Sequence, residues 1–405
     1  MSNDSKTEFC LEYLSKFSPD TFDVRVTNDI RFCDHKCTPD IVCFIADCIL
    51  CSNLQDTKFT VKDVWDTDYF VENVRIVYNK PDAKEKTAKN EYNKVISQPL
   101  KLLAYAKILK VETIKNTLHF SVENVEMLEW ISRNDRNSYT FISLFFEKVM
   151  EYSGFAYCLE NYKIAVTTNP QSTRKAKDDI YDRFHTFVSE NTPTESKLDT
   201  TRIFHKIFNL FAYKNRIPGS NGKVFSFYDL MYNRENWRDI GKDKSQTRQE
   251  HRETQDQQGD EFNQYFTNYY IQKAIKQIKK LHFSTEVSDP RYKNEPADQV
   301  HHIFPKSEYP QFATYLENLI LLTATQHLSL AHPNNNTHII DKDFQGLCLV
   351  CKADTIDKSI NKLKQNYYSK DLFLEVVNTG LSISLPAEMP FSTIKEEIVK
   401  VYNQL

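Results

Sequence analysis

Two stretches decide the reading of this chain: Asp298-Gln-Val-His-His-Ile-Phe-Pro305, and Glu317-Asn-Leu-Ile-Leu-Leu-Thr-Ala-Thr-Gln-His-Leu-Ser-Leu-Ala-His-Pro333. Five of the 11 histidines (His301, His302, His327, His332 and His338) fall in or just after them. Imidazole is both the commonest metal ligand and a base that works near neutral pH, so the clustering calls for a chemical reason. Val300 to Phe304 predicts a short strand stopped by Pro305. Neighbouring strand residues point to opposite faces, so His301 and His302 are expected to do different work, one toward a metal and one toward a substrate. Asn318 opens the apolar run Leu319-Ile-Leu-Leu, which reads as a second strand. Thr323 is suited to cap a helix starting near Ala324, carrying His327 and ending near Ala331 ahead of Pro333.

A His pair on one strand, an Asn on the next and a His on a following helix resembles the HNH, or ββα-metal, nuclease family. The resemblance implies His301 and His327 as ligands of a divalent metal, His302 as general base and Asn318 as the residue that fixes its ring. His332 is a third ligand or a phosphate contact. It lies five residues past His327, about 140° round an ideal α-helix, which sets it apart from the other two. Phosphodiester hydrolysis suits these residue types: a neutral imidazole takes a proton from water, and a cation neutralises charge on the phosphate and leaving oxygen. Lys306, just past the first strand, is placed to meet a phosphate. Mg²⁺ is the cellular default for such chemistry, while two or three imidazoles also suit Mn²⁺, Ni²⁺ or Zn²⁺. The chain departs from the many HNH domains that carry Cys-x-x-Cys pairs around a structural zinc. Thr323 and Gln326 stand where the second pair would be and no Cys pair precedes Asp298, so packing is expected to hold the motif.

The 405 residues suffice for two or three domains, and 40% hydrophobic with 26% charged residues is ordinary for a soluble globular protein. With only 7 glycines and neither G-x-G-x-x-G nor G-x-x-x-x-G-K, nucleotide-binding loops of the Rossmann or P-loop kind are excluded. A net charge of −3 means that nucleic acid must be engaged by local basic patches. No apolar run is long enough to span a membrane and the first residues lack a signal-peptide layout, so a cytoplasmic location is expected. The nine cysteines then read as free thiols. Cys33-x-x-x-Cys37 with Cys48-x-x-Cys51 has a zinc-like spacing, but Cys43 and Cys48 sit in an apolar helical pattern and core packing is the better reading.

The expected fold class is α+β, mostly helical, in three regions: 1–165 as a helical, winged-helix-like DNA-recognition domain, 166–260 as a connecting region with a polar, basic linker, and 261–405 as the HNH domain with C-terminal helices. Thr38-Pro39-Asp40 and Thr60-Val-Lys-Asp63 signal two helix starts, the first over 38–51 and the second leading into 64–78, separated by a polar turn. That layout fits a helix-turn-helix, with Lys62 and Arg75 available to DNA, or plain helical packing. A helix over 84–110 interrupted at Pro99, a strand over 117–122 and a helix over 123–133 follow. This first portion is also similar to N-terminal regions of bacterial restriction enzymes with HNH domains. The nearly apolar-free run from 232 to 259 holds Arg234 and Arg238 and reads as a solvated linker, as charge runs usually are, with ordering on DNA as the alternative. Lys273, Lys276 and Lys280 form a basic stripe on a helix over 265–281.

These readings together imply a sequence-specific type II restriction endonuclease cutting double-stranded DNA, with cleavage outside the recognition site as a hypothesis. A transient homodimer is expected for a double-strand break, and a companion DNA methyltransferase for protection of the host. The alternatives are another HNH nuclease, as phage-defence effector or homing enzyme, and a non-catalytic DNA-binding protein on a degenerate HNH fold.

Overall fold

The computed structural model describes residues 5–78, 83, 89–232, 259–292, 294–332 and 340–403. It is mostly helical, with two separate two-stranded antiparallel sheets. The chain forms two compact units, one of residues 10–266 and one of residues 267–405 joined by residues 1–9.

Helix α1 (Ser5–Ser15) spans the division after residue 9, and the larger unit includes α2 (Pro39–Cys51), which is buried on every side from Pro39 to Ile49. It packs against α5 (Lys89–Tyr105), α6 (Val125–Ser132) and α7 (Asp135–Tyr152). Cys43 and Cys48 lie within this packing, as the apolar reading of the segment requires. The second helix of the expected helix-turn-helix is broken. It forms α3 (Val61–Trp65) and α4 (Asp68–Tyr78), with Thr60 and Asp63 closing a reciprocal capping box at the start. Pro99 lies inside α5 without ending it. The loss of one backbone donor there is offset by a buried face of Tyr92, Val95, Ile96, Leu100 and Leu103. The helix stops at Tyr105, and Leu109–Ile114 (β1) pairs with Thr117–Val122 (β2). Lys115 and Asn116 both take positive φ, as a two-residue hairpin turn of type I′ demands.

The boundary expected at residue 165 is not there. Helix α8 (Ala156–Thr168) runs through it, and α9 (Thr173–Asn191) and α10 (Lys197–Lys214) pack on α8 and on each other in the same unit. The polar runs before 173 and after 191 that suggested a connector are caps and turns between these helices.

Helix α11 (Gly259–Leu281) enters the smaller unit at Thr267, where its Ile271, Ala274 and Ile278 are buried. Strand β3 (Ala297–His302) pairs antiparallel with β4 (Leu319–Thr323), His301 opposite Ile320 and His302 opposite Leu319. All five residues of β4 are buried. Behind them α12 (Lys342–Asp357), α13 (Lys370–Leu381) and α14 (Phe391–Tyr402) complete a core that includes Phe304, Phe312, Leu349, Phe373 and Ile398. Phe373, Leu374, Val376 and Val377 form the buried face of α13. No described helix is long and apolar enough to cross a membrane.

Candidate metal centre

Strand β3 ends two residues sooner than its sequence suggests, because Asn318 takes over its pairing. The Ile303 N–H donates to the Asn318 carbonyl at 2.9 Å, and the Phe304 N–H donates to Asn318 Oδ1 at 2.9 Å. Asn318 Nδ2 in turn donates to the Phe304 carbonyl at 3.0 Å and, at 3.5 Å, to that of Phe312. This fully buried amide laces the strand end to the loop over 305–318. It makes no hydrogen bond to the His302 ring, which corrects the direct role implied by the family resemblance. Its side-chain valences are taken by backbone, and the ring is fixed by the Ala313 carbonyl, 3.0 Å from His302 Nε2. Asn318 therefore acts on His302 through the loop that carries Ala313.

A carbonyl oxygen can only accept, so the nitrogen facing it carries the ring proton and His302 Nδ1 keeps the lone pair. Burial lowers the His302 pKa below its ordinary value, the bond to Ala313 opposes this, and the nearby positive charge of Lys306 lowers it further. The half-buried ring is accordingly neutral at physiological pH, in the state a base requires.

His301 faces the other way. Its ring centroid lies 5.3 Å from that of His327 and 5.0 Å from that of His332, and those two are 5.1 Å apart. One nitrogen of each falls within 4.8 Å of the others, the only such grouping of His, Cys, Asp or Glu among the described residues. His332 joins the cluster because the segment after β4 is not an ideal α-helix: from Gln326 to Ala331 it is a π-helix. Hydrogen bonding from i to i+5 brings residues five apart back toward one side, where α geometry would separate them. The expected cap is present, since the Gln326 N–H donates to Thr323 Oγ1 at 3.2 Å.

The three imidazoles fit a divalent ion. Burial, reinforced by His327, His332 and His302, pushes the His301 pKa down to about 3, so its lone pair is not lost to a proton. Burial lowers His327 as well, with His332 adding to the effect. His327 Nδ1 is buried and has no hydrogen-bond partner among the described residues, an orphan that an ion would satisfy. Tetrahedral coordination at zinc-like bond lengths wants nitrogens about 3.4 Å apart, so a modest ring movement suffices. Three protein ligands also leave a coordination position open, as in catalytic and unlike closed structural sites.

The proposed DNA contacts divide. Lys306 is exposed and close enough to His302 to influence its charge. Lys276 and Lys280 are exposed on α11 and Lys273 is half-buried there. Lys62 is exposed on α3 and paired with Asp66. Arg234, Arg238 and His338 lie outside the described residues, as does the side chain of Arg75. Sequence reasoning missed the Ala313 carbonyl, which no side-chain pattern announces. It also missed that Thr323-x-x-Gln326 is a capping-box spacing, a signal that was there to be read. Comparison with protein-family models, curated proteins and solved structures finds no match to this chain.

Proposed function

We propose that the protein is a metal-dependent endonuclease that hydrolyses phosphodiester bonds in DNA on an HNH-type ββα centre. The observation that carries this reading is the division of labour between adjacent histidines. His301 joins His327 and His332 in a buried three-imidazole cluster, while His302 presents a free Nδ1 because Ala313 holds its Nε2. A site serving only to staple the fold would not need the second, separately oriented imidazole.

A divalent ion held by the three imidazoles would supply Lewis-acid stabilisation of charge on the scissile phosphate and leaving oxygen. His302 Nδ1 takes a proton from the attacking water, and the Ala313 carbonyl stabilises the imidazolium that forms. Lys306 offers a positive charge to the phosphate as it approaches His302. The donor set has no carboxylate, which favours Zn²⁺, Ni²⁺ or Mn²⁺ over Mg²⁺ as the tightest-binding ion. Sequence-specific, type II restriction activity is the finer reading. It draws on the larger unit as DNA reader, with Lys62 on α3 and the β1–β2 hairpin in a winged-helix-like role, and it implies double-stranded DNA, a transient homodimer and a companion methyltransferase.

Purified protein incubated with unmethylated plasmid and each of Mg²⁺, Mn²⁺, Ni²⁺ and Zn²⁺ is expected to give discrete fragments that EDTA abolishes. Metal uptake with intact plasmid and intact single-stranded DNA under all four ions would overturn the nuclease reading and leave a metal-stapled binding protein.

A further inference from the structure

In place of zinc-binding cysteines, the metal-bearing turn is held by buried hydrogen bonds centred on Gln326. Its side chain is wholly inaccessible and every polar atom is used. Oε1 accepts from the Thr323 N–H at 3.1 Å and from the Thr285 hydroxyl at 2.6 Å, and Nε2 donates to the Val287 carbonyl at 2.8 Å. The short segment Thr285-Glu286-Val287 is itself tied to β4. Its Glu286 N–H donates to the Leu321 carbonyl and Glu286 Oε1 accepts from the Leu321 N–H, both at 2.9 Å. Glu286 is then locked from behind by the fully buried Lys352 of α12, at 3.0 Å. Lys352 also reaches the Tyr368 hydroxyl at 3.1 Å, which meets His282 Nε2 at 2.7 Å.

The arrangement has a direction. Leu321 follows Ile320, the strand partner of His301, and Gln326 directly precedes His327. One clamp therefore grips the turn that delivers His327 and the strand β4 on which His301's own strand is paired. We infer that Thr285 and Gln326 are positioning residues for the metal centre, setting the orientation of His327 relative to His301. This inference rests on the reading of the three histidines as metal ligands. Its physical basis is that a side chain one bond away from a ligand residue, with its own valences filled by buried partners, has no freedom to let that ligand drift. The Thr285 hydroxyl is the point of leverage. It is the only contact to Oε1 from the segment, and a half-buried threonine accepts valine without a change of shape.

The test is Co²⁺ titration of the full-length protein, read by visible d–d absorption, on wild type, Thr285→Val, Thr285→Ser, Gln326→Met and His327→Ala. Thr285→Val and Gln326→Met are expected to weaken Co²⁺ binding about 10- to 100-fold and to alter the absorption bands, the scale typical of outer-shell substitutions at metal sites. Thr285→Ser, which restores the hydroxyl, should return both to wild-type values, whereas Thr285→Val also strands the Val287 N–H and one bond of Gln326 Oε1 and should lower the metal-free unfolding midpoint, so the altered absorption bands carry the test. Unchanged affinity and spectrum in Thr285→Val, or a loss that follows metal-free stability with bands unaltered, would overturn the positioning role. Wild type that takes up no Co²⁺, or His327→Ala that binds as well as wild type, would overturn the metal reading itself, and the clamp with it.

Discussion

At His302 the Ala313 carbonyl decides which ring nitrogen is free, and the proposed role of general base depends on that choice. Asn318 is one step removed. Asn318→Ala would strand the Phe304 N–H and carbonyl in the core, at about 1–3 kcal/mol for each buried group left unpaired. We expect a loss of about 2–4 kcal/mol in urea unfolding, with cleavage falling through disorder of the loop and not through loss of metal. Its neighbour Glu317 makes a pH-dependent prediction. This buried carboxyl accepts from the Ser369 N–H at 2.7 Å, and burial raises its pKa, opposed by Lys6, by backbone N–H bonds and by Lys352. A folded pKa above the unfolded one means that the folded state binds the extra proton. The contribution to stability is whole below the ordinary value of 4.5 and is lost as pH rises through the folded value. Glu317→Gln should therefore melt higher than wild type at pH 8, with the advantage closing as pH falls through the folded value and gone below 4.5. An equal difference at both pH values would contradict this.

At the scale of the elements, the packing of α13 on the end of β3 can be tested at Gly380. A Cβ there would fall 2.3 Å from the Phe304 ring, and Phe304 is held in place by Asn318. Alanine gains about 1 kcal/mol of helix propensity over glycine, but overpacking costs about 1–3 kcal/mol, so clash wins. Gly380→Ala should lower the melting temperature and reduce cleavage, whereas a stabilised variant would show that the interface yields. These elements also show what was legible in the sequence. The two strands, the cap at Thr323 and the helical His327 follow from apolar runs, a helix-capping residue type and spacing, all local signals. Asn318 could be recognised as belonging to the motif, but its bonds run to backbone 6 and 14 residues away, which spacing does not encode. The sequence alone leaves His332 between two roles because α-helical geometry turns it away, and a π-helix depends on tertiary packing that a local pattern does not carry. The same limit explains the broken helix at Asp66–Thr67 and the continuous one at Pro99: burial of a helix face overrides local preference.

For the whole molecule, a net charge of −3 makes binding to DNA a matter of patches. If the exposed Lys276 and Lys280 of α11 lie along phosphates, the double variant Lys276→Ala/Lys280→Ala should bind DNA more weakly at every sequence. It should also flatten the slope of log affinity against log salt by about two. An unchanged slope would place the DNA elsewhere. One described histidine centre per chain further predicts that a double-strand break needs two chains, so the linear product should appear with a steeper dependence on protein concentration than the nicked one.

The central claim is that neighbouring histidines have separate duties, and His302→Ala compared with wild type tests it most directly. Zn²⁺ or Ni²⁺ binding should stay within a few-fold of wild type, because His302 is outside the three-imidazole cluster, while plasmid cleavage should fall by at least about 100-fold for loss of a general base. Cleavage that survives in His302→Ala, or that disappears only together with metal binding, would contradict the account.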